Sequence, residues 1–389
     1  MPVRQNICEA VILFLYAFFC LSRCSNAGYS IFSVIGGLAV IVVIKNKFHF
    51  NLYPIIYPIK KFLVYYLIFF ISLFLAAILY GDLNVIQSTW KYFLWTLPFW
   101  IIFLLQTKKF NPDVFDGALG LSLIVIFLSV VPQINVQNRV IGYFGKPTLL
   151  GTELAILVPT MIMISIYKIR QGISLQNTII LLATLLGIYT LLMTKTRGAI
   201  IGILIGAVLL TALLYSIRKH NVKKMILIIV VTLIAIGGIG FVTIQSFHRS
   251  YDYERVLLLK SSYEMWDDHK LYGVGFGNWA REYPKYIYPS AKEPNLTIPH
   301  NVIASFFDET GIIGGFGFLF FIFGTLVVLG RKIQEYPNNI YYQAAFWSFV
   351  ALMCHGMVDT GITNRNALQS IFAILGMAFA SESVYKTDK

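Results

Sequence analysis

The chain has 389 residues, of which 57% are hydrophobic and 13% are charged, and its mean hydropathy is +0.72. These values exclude a soluble domain of this size and indicate a polytopic membrane protein. A net charge of +13 would suggest a nucleic-acid partner in a soluble protein. Here the basic residues gather in short loops between apolar runs, so we interpret them as topology signals and expect no nucleic acid.

Apolar runs follow one another along almost the whole chain. A helix needs roughly 17–25 mostly apolar residues to cross a bilayer. Twelve spans are predicted, near 7–22, 27–44, 62–80, 88–106, 115–131, 149–167, 177–194, 198–216, 225–244, 302–329, 343–357 and 366–384. The run at 302–329 is longer than needed and rich in glycine, which predicts a tilted or re-entrant first part. The expected fold is an all-α polytopic integral membrane protein with about 12 transmembrane helices.

The charged loops predict the orientation of these helices. Basic pairs such as Lys60-Lys61 and Arg218-Lys219 occupy alternate short loops, and the positive-inside rule makes those loops and both termini cytoplasmic. The long polar interval 245–301 then lies on the opposite, extracytoplasmic side. The chain is thereby divided into 1–244 with helices one to nine, 245–301 as one large loop, and 302–389 with helices ten to twelve.

Two arginines near this loop are candidates for binding an anion. Arg197 stands between two apolar runs, at or just below the outer membrane surface, and could be an interfacial arginine or a clamp for an anionic headgroup. Its planar guanidinium pairs with phosphate in a bidentate manner, which lysine cannot do. Arg255 begins a predicted amphipathic helix in the loop, where a structural pair with Glu254 or Asp252 is an equal alternative.

The glycine-rich stretch 273–277, with the sequence Gly-Val-Gly-Phe-Gly, favours a tight turn that folds the loop back over the membrane. A nucleotide-binding loop would need the full G-x-G-x-x-G between a strand and a helix, or a P-loop lysine, and neither is present. No cysteine spacing or clustered acidic pair indicates a metal site. We therefore expect neither a metal nor a cofactor.

His300 follows a proline at the point where the chain re-enters the apolar run, and Asn301 comes next. A lone histidine at such a helix start is usually an interfacial or cap residue. As a general base it would need to face a cavity and take up a proton near neutral pH. Glu153 and the pair Asp308-Glu309 lie within apolar runs, so we expect them to face a polar cavity or the outer interface.

A further polar group, His355, Asp359 and Arg365, lies at the outer end of the eleventh predicted helix. Taken alone, these residues predict a salt bridge in a loop.

The combined pattern resembles a known family. His300-Asn301 is followed after nine residues by Gly311-x-x-Gly314, Arg255 precedes the glycine-rich turn by eighteen residues, and Arg197 opens a helix before the loop. Together with about twelve helices and one large loop, this arrangement resembles the O-antigen ligase family of Gram-negative bacteria. Family members often carry leucine four positions after the first arginine, where this chain has Ile201. Asp359 and Arg365 match a weaker Asp-Arg pair of some members.

The resemblance implies an inverting, metal-independent glycosyltransferase of the bacterial inner membrane. It would move O-antigen polysaccharide from undecaprenyl pyrophosphate onto lipid A-core at the periplasmic face, so the large loop would be periplasmic. In this interpretation His300 is the catalytic base, and Arg197 and Arg255 bind the pyrophosphate and stabilise its departing charge. Asn301, Asp359 and Arg365 would bind substrate, and the partners would be the lipid-linked glycan, the lipid A-core acceptor and membrane lipid.

Two other functions compete with this interpretation. An O-antigen polymerase would use the same donor with a second lipid-linked glycan as acceptor, and the sequence separates it poorly from a ligase. A transporter or flippase of lipid-linked glycan would line a path with central charged residues and show internal repeats. The sequence shows neither feature, and its polar residues gather at the outer face, so a transporter is the weaker alternative.

Overall fold

The structure is a computed structural model that describes residues 7–23, 25–47, 53–107, 110–219, 223, 230, 250–292, 295–359 and 361–385. The described residues form α-helices and short 3₁₀ turns, with no strand among them. Almost all of the ninth predicted span, 225–244, and the start of the long loop, 245–249, lie outside these ranges.

The described helices are numbered here in chain order. Those before residue 220 are α1 (Ile7–Ser22), α2 (Ser25–Lys47), α3 (Tyr53–Tyr80), α4 (Leu83–Leu94), α5 (Leu97–Thr107), α6 (Pro112–Val130), α7 (Pro147–Arg170), α8 (Leu175–Thr194) and α9 (Arg197–Lys219). Those after it are α10 (Ser250–Asp268), α11 (Trp279–Glu282), α12 (Val302–Glu335), α13 (Ile340–Gly356), α14 (Arg365–Ala380) and α15 (Glu382–Tyr385). The 3₁₀ turns cover Val131–Gln133, Gly142–Phe144, Tyr283–Lys285 and Gly361–Thr363.

Six stretches in the described part of the chain are helical, long and apolar enough to cross a membrane. They are Ile56–Tyr80, Pro112–Gln133, Pro147–Arg170, Leu175–Thr194, Arg197–Lys219 and Val302–Glu335. Ile7–Ser22 and Ile31–Lys45 are apolar but shorter. A helical membrane protein is therefore confirmed in this general form, while the count of twelve spans and the position of the loop outside the membrane stay predictions.

One predicted span, 88–106, is divided in the structure. Helix α4 ends at Leu94 and α5 begins at Leu97. Pro98 stands in the first turn of α5, where its missing N–H is tolerated, whereas inside one continuous helix it would remove a hydrogen bond. The hydroxyl groups of Tyr66 and Thr96 lie 2.7 Å apart and fasten the break to α3. Apolar composition alone could not show this division.

Helices α7 and α13 run antiparallel through the core. The Thr152 hydroxyl lies 2.8 Å from the Nε2 of His355, and the Thr160 hydroxyl lies 2.9 Å from that of Ser348. Residue numbers rise along α7 as they fall along α13, which fixes the relative direction. The end of α13 that carries His355 is thus held against the beginning of α7.

Helix α9 packs closely on α13 through small residues. Gly198, Gly202 and Gly206 recur every four residues and form one face of α9. A Cβ atom at Gly202 would lie 2.5 Å from the carbonyl oxygen of Ala351, so only glycine permits this approach. Small residues at fourfold spacing commonly allow such backbone contact between membrane helices. The result is that the first turn of α9, with Arg197, lies at the His355 end of α13.

Helix α12 is interrupted at Gly311, which has φ 63° and ψ −161°. This conformation is available almost exclusively to glycine. Because of the break, the N–H groups of residues 312 and 313 cannot bond within the helix. They donate instead to the carbonyls of Lys270 and Leu271 at 2.8 and 3.4 Å. The predicted tilted or re-entrant first part of this run corresponds to a separate segment, Val302–Thr310, although its placement relative to a membrane stays a prediction.

The glycine-rich turn forms the hydrogen bonds in the opposite direction. The N–H groups of Val274 and Gly275 donate to the carbonyls of Asp308 and Glu309 at 2.9 and 3.0 Å, the two carbonyls that the break leaves without helical partners. A Cβ at Gly273 would lie 2.4 Å from the backbone of residues 309 and 310. The stretch is therefore a tight turn, as predicted, and it fastens the loop onto the broken helix through backbone groups.

Candidate functional site

Asn301 connects the start of α12 to the turn after α13. Its Oδ1 accepts a hydrogen bond from the backbone N–H of Ala304 at 2.9 Å and so caps the helix. Its Nδ2 donates to the carbonyl of Met357 at 3.0 Å. The amide is thereby engaged on both sides with backbone groups, which gives Asn301 a structural role; its predicted part in substrate binding is not tested by this geometry.

This connection brings His300 beside Asp359. The His300 Nδ1 lies 3.8 Å from the Asp359 Oδ1, and the two side chains are 23% and 2% exposed. That separation is the distance of an ion pair and exceeds that of a hydrogen bond. His300 has φ 53°, a left-handed conformation that costs an L residue about 1–2 kcal/mol. The histidine that the sequence singled out is thus held in a strained conformation next to a buried carboxylate.

A second histidine, His355, is buried at the same place with 1% exposure. The Thr152 hydroxyl donates to the carbonyl of Thr148 at 2.8 Å, so its oxygen accepts from the Nε2–H of His355. The Asp359 carboxylate and the Arg255 guanidinium both lie within electrostatic range of the ring. The sequence analysis gave His355 no role apart from a loop salt bridge. Its spacing of four residues from Asp359 was the one feature that could have indicated that the two side chains lie close together.

Arg255 reaches this group from the long loop. It lies half-buried on α10, close enough to His355 to act on it electrostatically. The neighbouring Glu254 is 4% exposed, and its Oε1 accepts a hydrogen bond from the backbone N–H of Lys292 at 2.9 Å. Glu254 is therefore engaged in fastening the loop.

Arg197 begins α9, and the next residue contacts the same histidine. A Cβ at Gly198 would lie 2.8 Å from the His355 Nδ1 and 2.5 Å from the Val358 Cγ2. The first turn of α9 thus packs on His355 and on the turn that leads to Asp359. The two arginines belong to segments that both reach His355, although they are far apart in the sequence.

The turn before α9 is held firmly. The Arg139 guanidinium donates to the carbonyl of Thr194 at 2.8 Å and to the hydroxyl of Thr196 at 3.3 Å. The Thr196 hydroxyl donates in turn to the carbonyl of Pro147 at 3.1 Å. These contacts fix the start of α9, so the backbone at Arg197 is set by neighbouring elements.

Arg365 begins α14, and its guanidinium carbon lies 5.9 Å from the centroid of the Trp95 ring, in the range of a cation–π contact. This places it at the break between α4 and α5. Glu153 is 1% exposed and lies 3.8 Å from Arg23, and the Ser370 hydroxyl donates to it. The glutamate is therefore inside the protein among polar groups, one residue after Thr152.

The acidic pair in α12 holds the loop. The Glu309 Oε1 accepts from the backbone N–H of Trp279 at 3.1 Å. Asp308 is fully buried, and Ser262 and the Trp279 indole lie next to its carboxylate. These carboxylates thus support the glycine-rich turn and the short helix α11.

Tyr283, Tyr286 and Tyr288, near the end of the loop, pack against other parts of the loop. Tyr283 is 1% exposed and stacks on Trp279 with ring centroids 4.5 Å apart. The Tyr288 hydroxyl donates to Glu264. Burial, and then the nearby Asp268 carboxylate, raise the pKa of Tyr286 to about 12. This tyrosine stays neutral from pH 6 to 9, so it adds nothing to a pH profile in that range.

A cavity of about 300 Å³ lies elsewhere, between α6 and α8. Its lining is Gly117, Gly120, Leu121, Ile124, Leu175, Gln176, Ile179 and Ile180. The lining is apolar and contains none of the predicted site residues, so the size of this cavity is no guide to the chemistry.

Membrane-length helices and a polar group of histidine, carboxylate and arginine at one end of them define a helical membrane protein with a candidate active site. Residues 182–319 match the family model described as O-antigen ligase. This match supports the O-antigen ligase family, which the motif residues indicated. The matched range contains Arg197, Arg255 and His300 and ends before Asp359. No curated protein matches the chain.

Proposed function

We propose that the protein transfers O-antigen glycan from undecaprenyl pyrophosphate to a hydroxyl of lipid A-core at the periplasmic face of the inner membrane. The acceptor oxygen attacks the anomeric carbon from the face opposite the pyrophosphate, which inverts the configuration. The bond from that carbon to the pyrophosphate oxygen breaks, and its electron pair leaves with the pyrophosphate. The acceptor proton passes to His300.

The observation that carries this proposal is the His300–Asp359 pair. With Nδ1 of His300 directed at the buried carboxylate at 3.8 Å, the opposite nitrogen, Nε2, is the one available to take a proton from the acceptor. The negative Asp359 stabilises the imidazolium that forms. The gap of 3.8 Å closes by about 1 Å when substrate binds, since catalytic hydrogen bonds are often long in the absence of substrate.

The two arginines supply the charge that the leaving group needs. A pyrophosphate carries more than one negative charge, and guanidinium groups bind phosphate oxygens through paired hydrogen bonds. Arg197 acts at the first turn of α9, where helix N–H groups also favour an anion. Arg255 approaches from α10. Neither a nucleotide nor a metal is needed in this scheme, because the lipid pyrophosphate already stores the energy and the arginines balance the charge.

Asp359 is assigned a positioning role in this proposal, and Arg365 and Asn301 are assigned to the acceptor side. Arg365 lies over Trp95, and both residues are only half-buried, so this pair contacts a sugar of the acceptor or its phosphate. Asn301 holds the turn that carries Asp359.

The test is a deletion strain analysed for its glycolipids. If the proposal holds, polymerised glycan accumulates on undecaprenyl pyrophosphate while lipid A-core stays bare, and expression of the intact chain restores the linked product. A polymerase would instead leave single repeat units on the core. An unchanged glycolipid profile would exclude both forms of glycosyl transfer.

A further inference from the structure

Helix α10 carries a stripe of exposed apolar side chains. Val256, Leu259, Tyr263 and Trp266 are spaced three or four residues apart and therefore share one face of the helix. The first three are 48%, 41% and 61% exposed, and Trp266 is half-buried. The stripe begins one residue after Arg255. We call these four residues the apolar stripe of α10.

The other faces of α10 are differently occupied. Leu258 and Met265 are buried in the small core of the loop with Trp279. The polar face carries Lys260, Glu264 and Asp268, which recur every four residues and are all exposed. Asp267 follows Tyr263 by four residues and ends the apolar side of the helix, where it pairs with Lys270 at 2.8 Å. The helix thus has a core face, a polar face and an exposed apolar face. Exposure of the apolar face to water is unfavourable, so this face needs a partner.

The lipid-facing side of α12 has the same character. Its exposed large side chains recur at helical spacing on one side: Ile312, Phe316, Phe320, Phe323 and Val327. This part of α12 belongs to a helix that is long and apolar enough to cross a membrane. Apolar residues on the outside of such a helix face lipid chains.

The two surfaces are continuous. The rings of Tyr263 and Trp266 lie 5.7 Å apart, those of Trp266 and Phe307 lie 6.3 Å apart, and those of Phe307 and Phe316 lie 5.6 Å apart. Leu271, three residues after the end of α10, is 55% exposed, and its carbonyl accepts a hydrogen bond from the backbone N–H of Ile313. An unbroken row of contacts therefore leads from the exposed side of α12 to the stripe on α10.

We propose that the apolar stripe of α10 is immersed in the membrane leaflet next to α12 and that bilayer lipid covers it. Tyrosine and tryptophan favour the boundary between headgroups and chains, and an amphipathic helix with such a face lies in the plane of that boundary. The polar face of α10 then points to water. This inference does not depend on the proposed reaction, but it places Arg255 at the depth of lipid phosphates.

The test attaches nitroxide spin labels to Val256→Cys, Tyr263→Cys and the polar-face control Asp268→Cys of the full chain in lipid nanodiscs. The four native cysteines are replaced by alanine in the background protein. We expect the ratio of oxygen to water-soluble nickel collision rates to be several-fold higher at 256 and 263 than at 268, because the apolar face of an interfacial helix lies among lipid chains, where oxygen concentrates and nickel complexes do not. Equal ratios at all three positions would contradict the proposal. Low collision rates with both reagents at 256 and 263 would show a protein partner, such as a second copy, and would also overturn it.

A second measurement keeps the native cysteines. Trp266 fluorescence is isolated as the difference between the wild-type protein and Trp266→Phe. In nanodiscs with brominated lipid chains we expect this difference signal to be strongly quenched. If bromination leaves it unchanged, Trp266 does not touch lipid and the proposal is wrong. Because neither measurement uses glycosyl transfer, its result is separate from that of the proposed function.

Discussion

Helix α7 has a polar group at each of its ends, and the two groups differ in charge balance. At one end, Lys168 contacts Asp113 and lies 3.7 Å from Asp116, whose two oxygens lie 3.0 and 3.1 Å from the Tyr341 hydroxyl. At the other end, Thr152 holds His355 near Asp359. We call these groups the Lys168 end and the His300 end. Sixteen residues separate Thr152 from Lys168 along α7, which is about 24 Å.

The difference in charge indicates which end is functional. In the described part of the Lys168 end, Lys168 contacts two carboxylates and one of them accepts from Tyr341, so these groups are partners of one another and hold α6, α7 and α13 together. Among the described residues of the His300 end, the first turn of α9 with Arg197 and the Arg255 guanidinium both approach His355 beside the Asp359 carboxylate, so two arginines face one carboxylate there and positive charge is in excess. Such an excess suits a site that must bind an anion with several charges. Substitutions that alter one end at a time test this difference.

The largest expected effect is that of His300→Ala. General-base assistance typically contributes about 10²–10⁴-fold to a rate, so transfer by the purified protein should fall by that factor while donor binding is retained. His300→Gln, measured from pH 6 to 9, separates a base from a residue that only orients the acceptor. Near-wild-type activity in the glutamine variant would rule out the base role. His269→Ala, at an exposed loop position, is the control and should be unaffected.

Arg255→Ala and Arg197→Ala should each remove part of the pyrophosphate clamp. A hydrogen bond to a charged group contributes about 1.5–3 kcal/mol, or roughly tenfold to hundredfold in transfer. Lysine should restore little at either position, since it lacks the bidentate fork. The matched control is Arg281→Ala, which removes an exposed loop arginine that pairs with Glu282 at 3.1 Å. If Arg281→Ala lowers transfer as much as Arg255→Ala, the clamp assignment is wrong.

Gly311→Ala tests whether the backbone break is needed for the His300 end. A Cβ there would lie 2.4 Å from the carbonyl group of Leu271, and the conformation is strained for any side chain, at about 1–3 kcal/mol. Thermal unfolding should occur at a clearly lower temperature. Gly330→Ala in the same helix, where a Cβ has open space, should be neutral or stabilising because alanine favours helix. Equal melting temperatures for the two variants would contradict the strained break.

Asp359→Asn keeps the shape of the side chain and removes its charge. We expect transfer to fall by roughly tenfold, less than in His300→Ala, because the imidazolium loses its stabilising carboxylate. The acid limb of the pH–rate profile should move to lower pH, since the protonated ring is favoured less without the negative charge. A purely structural aspartate would lower activity without moving this limb. The pH–rate profile therefore distinguishes a positioning role from a packing role.

Local sequence patterns identified several residues of the His300 end. They did not show which of these residues contact one another. Arg197 and His300 stood out because each is a polar residue at a boundary of an apolar run, and Arg255 stood out because it begins an amphipathic helix in the long loop. The pairing of His300 with Asp359 could not be predicted, since it depends on the Asn301 contact with Met357 across the fold. His355 looked like a loop residue because its partner Thr152 comes from a distant helix.

For the fold, too, the sequence predicted individual helices but not the contacts between them. Membrane-length runs are a matter of composition, so α7, α8 and α12 follow directly from the sequence. The four backbone hydrogen bonds between residues 270–275 and the Gly311 break did not follow from it, because they join backbone groups that are far apart in the chain. The sequence shows glycine at 273 and 311. It does not show which distant backbone segment packs against each glycine, because that depends on the tertiary structure.

The smallest effect should come from the Lys168 end. Asp113 contacts Lys168, but its side chain is 57% exposed, and an ion pair with one partner in solvent contributes about 0–1 kcal/mol. In Asp113→Asn the buried Asp116 still lies beside Lys168 and still accepts from the Tyr341 hydroxyl, so no buried charge loses its partners. We expect transfer within about twofold of wild type and a melting temperature lowered slightly at most. Asp116→Ala is the harsher comparison, because it leaves the Tyr341 hydroxyl without that acceptor, and it should lower stability with little direct effect on chemistry. A large loss of transfer in a stable Asp113→Asn protein would show that the Lys168 end takes part in the reaction, and the division between a structural end and a functional end would then be wrong.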